Sequence, residues 1–274
     1  MEKQRILIFI PMYNCEKQIS RVLNKIKNLK EKQKIFTEII VVDNRSSDNS
    51  IQAAKEAAQN LLIPVKIFKN KNNRGLGGSH KVAFNYAIKN KFDYVIVLHG
   101  DDQGDITDVI KHIEDKSFER YDSFLGSRFE SNSKLINYSK FRIFGNHIFN
   151  KLISVIINRK ITDLGSGLNV YKIKYLKNRF FMNFPNNLTF NVYMLLYGVY
   201  CKSNFEFFPL SWREEDQVSN AKLFSQSMEI INLVLKFKFK KKYLFAKENN
   251  KFSELTYDYD IVFYNKQGVD YIYG

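Results

Sequence analysis

Residues 6–10, 38–43, 65–68 and 94–98 are short apolar runs rich in Ile and Val, the pattern of strands buried on both faces. The first run stops at Pro11. Between the runs, apolar residues recur at helical spacing: Ile19, Val22, Leu23, Ile26 and Leu29 lie within 16–32, with polar residues on the opposite face. An Ala-rich stretch at 51–62 follows Ser47-Asp48, and a third helix is expected over 79–89. Alternation of strand and helix predicts a parallel sheet with helices on both faces. Ligands of such sheets bind beyond the carboxyl ends of the strands. The loops after Ile10, Asp43 and Leu98 are therefore expected to converge on one crevice.

The second half is less regular. A strand is expected at 123–126, a polar mobile loop at 129–138, helices at 139–158 and 188–199, and a strand at 205–210. Residues 228–245 begin apolar and end in Lys236, Lys238, Lys240, Lys241 and Lys242, interleaved with Phe237, Phe239 and Tyr243. The aromatic, acidic tail from Phe252 matches no element. No repeat or linker divides the chain.

With 274 residues, 45% of them hydrophobic, the chain has material for one large α/β domain. The formal charge of +15 favours an anionic partner: nucleotide phosphates, an acidic membrane surface or nucleic acid. Cys15 and Cys201 form neither a metal-ligand spacing nor a disulfide framework, and free thiols in a reducing cytosol are expected. No apolar segment reaches the roughly 20 residues of a spanning helix, and residues 6–10 are too short for a signal peptide core.

The candidate chemistry sits at the strand ends. A carboxylate at the tip of a buried strand is costly unless it pairs or binds a ligand. Asp43 can accept a bond from a base N–H or a ribose hydroxyl, or it can cap the next helix. The glycines of Asn73-Arg74-Gly75-Leu76-Gly77-Gly78-Ser79-His80 permit backbone approach to a phosphate at a helix N-terminus. That turn follows the third strand and lacks the GxGxxG spacing, which disfavours a dinucleotide dehydrogenase. His99-Gly-Asp101-Asp102-Gln103-Gly-Asp105 gathers three carboxylates, an amide and an imidazole. Like charges so close are tolerable around a divalent cation, and hard oxygen ligands suit Mg²⁺ or Mn²⁺. Asp105 can instead cap the helix starting near Ile106.

In this order, PMYN, VVDNRSSD, NRGLGGSHK, HGDDQGD, GSR and DLGSG resemble the family 2 glycosyltransferases. The likeness is greatest to the branch of dolichyl-phosphate mannose synthase and the polyprenyl-phosphate sugar transferases, and it runs from Ile6 to about Lys222. It implies an α/β fold of GT-A type: a Rossmann-like, mostly parallel sheet with helices on both faces, plus a C-terminal helical extension. The implied domain is 1–222, with a nucleotide-binding half (1–105) and an acceptor half (106–222), followed by a basic helix and aromatic tail over 223–274. Pro11, Tyr13 and Glu16 match the nucleotide-binding first loop, and Asp43 the base-recognising carboxylate. Asn44 stands where a second Asp is common. Asp101 matches the second Asp of a DxD motif, a metal ligand beside the nucleotide, and Gln103 a Gln of this branch. His99 replaces the first Asp, so His99 or Asp102 is left to complete the metal site. Arg128 matches the arginine of the GSR motif and Arg142 falls near a second basic position of the branch, and the resemblance implies that both face an acceptor phosphate. Asp163 matches a carboxylate able to act as general base. The segment 208–222 resembles a closing P-I-x-F…R…G-x-S-K motif, from which Trp212 and the acids at 214–216 depart.

The implied reaction moves a sugar from a nucleotide-diphosphate donor to a lipid phosphate or a glycan hydroxyl, with inversion and a divalent cation, in cell-surface glycan synthesis. A lipid phosphate is already an anionic nucleophile, whereas a hydroxyl needs a base such as Asp163. A cytoplasmic enzyme, held peripherally on the cytoplasmic face by residues 228–245, is expected. The rival reading is a non-catalytic basic module on membrane or nucleic acid. It leaves the acidic strand ends unexplained, and nucleic acid is disfavoured.

Overall fold

Ile6–Met12 forms β1, buried along its whole length, with Ile6, Ile8 and Ile10 facing one core and Leu7 and Phe9 the other. A computed structural model describes residues 3–214, 223–246 and 255–265 of the chain. The strand continues through Pro11, which pairs with Val42. The Pro11 carbonyl accepts a bond from the Gly100 N–H (3.1 Å), which ties the end of the strand to the loop after residue 98.

β2 (Glu38–Asp43), β3 (Val65–Asn70) and β4 (Tyr94–Leu98) run parallel to β1. They alternate with α1 (Glu16–Lys27), α2 (Ser50–Ala58), α3 (Gly75–Lys89) and α4 (Thr107–Glu114). α1 is shorter than its apolar period suggested: a 3₁₀ segment follows from Lys30, whose φ is 51°. α2 likewise stops early, whereas α3 begins four residues before Ser79, inside the glycine-rich segment.

β5 (Ser123–Ser127), β6 (Lys134–Ile136) and α5 (Lys140–Ile157) come next, then β7 (Leu168–Lys172) and the single turn α6 (Ile173–Leu176). α7 (Phe190–Tyr200), β8 (Phe205–Pro209), β9 (Ser211–Arg213), α8 (Leu223–Leu244) and β10 (Tyr259–Asn265) complete the fold. The main sheet has the order β10-β3-β2-β1-β4-β7-β5-β8, with β7 and β10 antiparallel to their neighbours. β6 lies in the stretch expected to be a mobile loop and pairs in parallel with β9, Leu135 opposite Trp212. β10 places residues 259–265 of the tail that the sequence left unassigned.

α8 buries only part of its apolar half, and Met228 and Leu235 remain exposed. Leu233, Val234 and Phe237 are buried in the core, where α8 packs against α5 and α7. Only its outer side, including Phe239, Tyr243 and the five lysines, is exposed. The closing segment over 215–222, and with it the boundary at 222/223, lies outside the described residues.

Candidate functional site

The loops after β1, β2 and β4 do converge. The Asn14 N–H donates to Ser46 Oγ (3.0 Å), the Ser47 N–H to Asn14 Oδ1 (2.9 Å), and the Glu16 N–H to Asp48 Oδ2 (3.1 Å). Pro11 is buried in the floor, while Tyr13 is 51% exposed at the rim and Glu16 lies beside it, accepting from the Asn49 N–H. Asp43 is wholly buried and accepts from the Arg45 N–H (3.1 Å) and the Ser46 N–H (3.2 Å). It thus closes the turn before α2; the Ser50 N–H and hydroxyl at that helix's start go to Asp48. Burial opposes ionisation of Asp48, but these bonds outweigh it and hold the carboxyl below its ordinary pKa. Asn44 ties β2 to the next loop, donating to Asn73 Oδ1 (2.8 Å) and accepting from the Arg74 N–H (2.9 Å).

Gly75 and Gly77 have a different part from the phosphate cradle expected of them. Gly75 has φ +68°, and the backbone nearest its missing Cβ belongs to Asn186. A Cβ on Gly77 would lie 2.5 Å from the Pro185 carbonyl oxygen, and the Gly77 N–H already donates to Asn186 O (2.8 Å). The glycines seat the chain's own 185–187 segment against the first turn of α3.

At the end of β4 the acidic cluster separates. Asp102 has φ 61° and turns its buried carboxylate away, to Arg21 (2.7 Å) and Lys25 (2.8 Å) of α1 and Arg213 (2.8 Å) of β9. Burial raises the Asp102 pKa, but Lys25, Arg21 and Arg213 together lower it. The expectation that Asp102 completes a metal site is thereby corrected: three cations occupy it. Asp105 accepts from the Thr107 N–H (2.9 Å) and hydroxyl (2.7 Å), a helix-start role. Asp101 remains. Its Oδ1 accepts from the Gln103 N–H (3.2 Å), and its Oδ2 lies 3.9 Å from His99 Nδ1. Gln103 is braced in turn, its carbonyl accepting from the Arg213 N–H (3.0 Å).

The His99 ring sits against Gly167, and its Nε2 is buried without a hydrogen-bond partner among the described residues. Burial lowers the His99 pKa despite the pull of Asp101, and Arg128 adds to the lowering, so the ring is neutral at pH 7 and carries a free lone pair. No group of three or more His, Cys, Asp or Glu side chains able to hold a metal forms among the described residues. Asp101 and neutral His99 fit a divalent cation only as a one- or two-ligand edge.

Arg128 grips Asp163 with its Nε (2.8 Å) and Nη2 (2.8 Å), and its own N–H also donates to Asp163 (3.0 Å). The Gly165 N–H supplies a fourth bond (3.2 Å). A carboxylate has about four acceptor positions, so none is left for a substrate hydroxyl. Burial opposes ionisation of Asp163, but Arg128 lowers its pKa, which weakens it further as a base. The general-base expectation gives way to a structural one. Arg128 also lies over the Trp212 ring, 5.0 Å from its centroid. Arg142 pairs with Glu214 (2.5 Å) and lies 4.5 Å over Tyr138. Both arginines therefore arrive already paired. Sequence reading missed Arg21 and Lys25, whose i, i+4 spacing was the available signal, and met Arg213 only as part of the closing motif.

The family model for glycosyl transferase family 2 matches residues 7–180. The chain is 26% identical over 188 residues to the UDP-N-acetylglucosamine–dolichyl-phosphate N-acetylglucosaminyltransferase of Methanococcus voltae, covering 65% of this chain and 73% of that protein. It is 27% identical over 224 residues to the dolichyl-phosphate beta-glucosyltransferase of Saccharomyces cerevisiae, covering 76% and 67%. Glucosyl-3-phosphoglycerate synthase from Mycobacterium tuberculosis, solved with Mn²⁺, uridine diphosphate and phosphoglyceric acid, shares the fold. Its TM-score is 0.62 at 12% identity, over 86% of this chain and 79% of that one. The chain belongs to glycosyl transferase family 2: it is a glycosyltransferase of GT-A fold, similar to the polyprenyl-phosphate sugar transferase branch.

Proposed function

We propose that this glycosyltransferase moves a sugar from a nucleotide-diphosphate sugar onto a lipid phosphate, with inversion. The anomeric C–O bond to the diphosphate breaks, a new one forms to an acceptor phosphate oxygen from the opposite face, and the nucleoside diphosphate leaves. The observation that carries this reading is the saturation of Asp163. A hydroxyl acceptor needs a base, whereas a phosphate is already an anion. The dolichyl-phosphate enzymes among the relatives support the same acceptor class.

The donor belongs to the half over 1–105. Pro11 and Tyr13 form one wall of its nucleotide pocket, Glu16 its rim, and Asp43, through the turn it holds, the base or ribose contact. Asp101 is the protein's ligand to Mg²⁺ or Mn²⁺, with Gln103 and His99 beside it. Such ions take one or two carboxylates and complete their shell with substrate phosphates and water. When bound, the ion supplies Lewis-acid relief of the charge developing on the leaving diphosphate. The half over 106–222 receives the acceptor, with the remaining N–H groups of Arg128 and Arg142 turned to its phosphate. No helix among the described residues is long and apolar enough to cross a membrane, and the enzyme works peripherally on the cytoplasmic face.

The test is transfer from UDP-, GDP- and dTDP-sugars to a polyprenyl phosphate and, in parallel, to a free glycan, with Mn²⁺ or EDTA. Transfer to the lipid phosphate alone, lost in EDTA, is expected. Transfer to the glycan alone overturns the acceptor assignment.

A further inference from the structure

α5 carries an apolar stripe that nothing in the described chain covers. Phe141 is 84% exposed, Phe144 65%, Ile148 53%, Leu152 48% and Val155 71%. Their spacing of three and four residues places them on one side of the helix, and the span from first to last rises about 21 Å. The opposite side is anchored in the domain through Asn150, Ile153 and Ile157. A soluble helix places its polar residues outward; here large apolar side chains face out on a helix already fixed from behind. An exposed apolar strip of this length marks an interaction surface.

Charge decides what that surface meets. α5 has no acidic residue and three cations, Lys140, Arg142 and Lys151. α8 packs against α5 and adds five exposed lysines against one acid, Glu229. Exposed Leu235, Phe239 and Tyr243 lie among those lysines. A second copy of the chain would bring this cationic rim against itself. An anionic lipid surface meets both features at once, apolar rings in the acyl boundary and lysines among the headgroups.

We infer that α5 is the element that enters the membrane interface, lying in its plane with the stripe inserted, and that the lysines of α8 hold it there electrostatically. The assignment moves the apolar contact from α8, whose inner residues are buried in the core, to α5. It deepens the lipid-acceptor reading only in placement: Arg142, near the start of α5, comes to lie at the headgroup level. Membrane binding itself requires neither donor nor acceptor, so its test is independent of catalysis.

The experiment is cosedimentation of the full chain with phosphatidylcholine vesicles, with and without phosphatidylglycerol, at low and high salt. Two variants are compared: Phe141→Ser/Phe144→Ser/Ile148→Ser/Leu152→Ser, and the five α8 lysines changed to Gln. All the altered side chains are exposed, and circular dichroism with a melting curve checks that each variant is folded. Binding to phosphatidylglycerol vesicles is expected, weakened about tenfold or more in the stripe variant and stripped of its salt dependence in the lysine variant. Three results overturn the inference: no binding by the native chain at low salt, equal binding by the stripe variant, or a native dimer that the stripe variant dissolves.

Discussion

Replacing Asp163 by Asn separates a structural carboxylate from a catalytic one. Asp163 is buried and takes four hydrogen bonds, three of them from Arg128. Asparagine keeps the volume, removes the charge and turns an N–H₂ towards donors that need an acceptor. Removing one partner of a buried ion pair costs about 3–5 kcal/mol, because the remaining charge stays buried and unpaired. Arg128 keeps some access to solvent, with 17% of its side chain exposed, so the lower end is the better figure, about 3 kcal/mol. For a chain of this size that lowers Tm by roughly 6–12 °C.

The pH dependence follows from the direction of the shift. The Asp163 pKa is lowered in the folded protein. Its contribution is therefore complete above the unfolded value of about 3.9, and is lost as pH falls through the folded pKa. The stability gap between native and Asp163→Asn should be flat above about pH 5 and close at lower pH. Urea unfolding across pH reads both quantities. A base would behave otherwise: its loss costs about 10²–10⁴-fold in rate and leaves stability alone. Native stability in Asp163→Asn, together with a rate loss of that size, would refute the structural assignment.

Three further outcomes are expected. Asp101→Ala should abolish Mn²⁺-dependent donor binding while the melting curve stays native; unchanged metal-dependent binding in a calorimetric titration removes Asp101 from the site. Asp43→Ala should weaken nucleotide binding about tenfold or more, since a bond to a buried charged group is worth roughly 1.5–3 kcal/mol, and a nucleotide-bound structure with the base far from Asp43 would contradict that. Burial lowers the Lys81 pKa to about 7. The folded state thus binds fewer protons than the unfolded one between about pH 7 and about pH 10.4, and stability should rise with pH across that window. Lys81→Met should lack that rise; an identical slope in native and variant places the titration elsewhere.

The strand–helix alternation of the first hundred residues was readable because EIIVVD and YVIVL are apolar on both faces, which a central parallel strand requires. β7 and β10 were not readable. LNVYK is short and follows a glycine-rich turn, and YDIVFYN mixes charge with aromatics because it lies at the sheet edge. Partnership with β3, nearly two hundred residues earlier, decides β10, and local pattern does not encode that pairing.

The site shows the same limit at the scale of two adjacent residues. Asp101 and Asp102 are the same side chain in the same loop, and nothing local distinguishes a ligand-facing carboxylate from a buried counter-ion. The left-handed backbone at Asp102 sends successive side chains apart, and the cations that receive it come from Arg21 and Arg213, 81 and 111 residues away in sequence. That separation reconciles an acidic strand end with a strongly cationic chain. Asp102 holds the loop to α1 and β9, and Asp101 is presented partly exposed beside a neutral His99. On the proposed metal role of Asp101, a loop fixed by Asp102 keeps the neighbouring carboxylate from collapsing onto nearby lysines and arginines. Exchanging the two roles is then the sharper test. Asp102→Asn should loosen the loop and weaken metal-dependent donor binding without abolishing it, whereas Asp101→Ala should abolish it. Equal losses in the two variants would show that both carboxylates serve the metal directly and that the cations seen on Asp102 give way when the donor arrives.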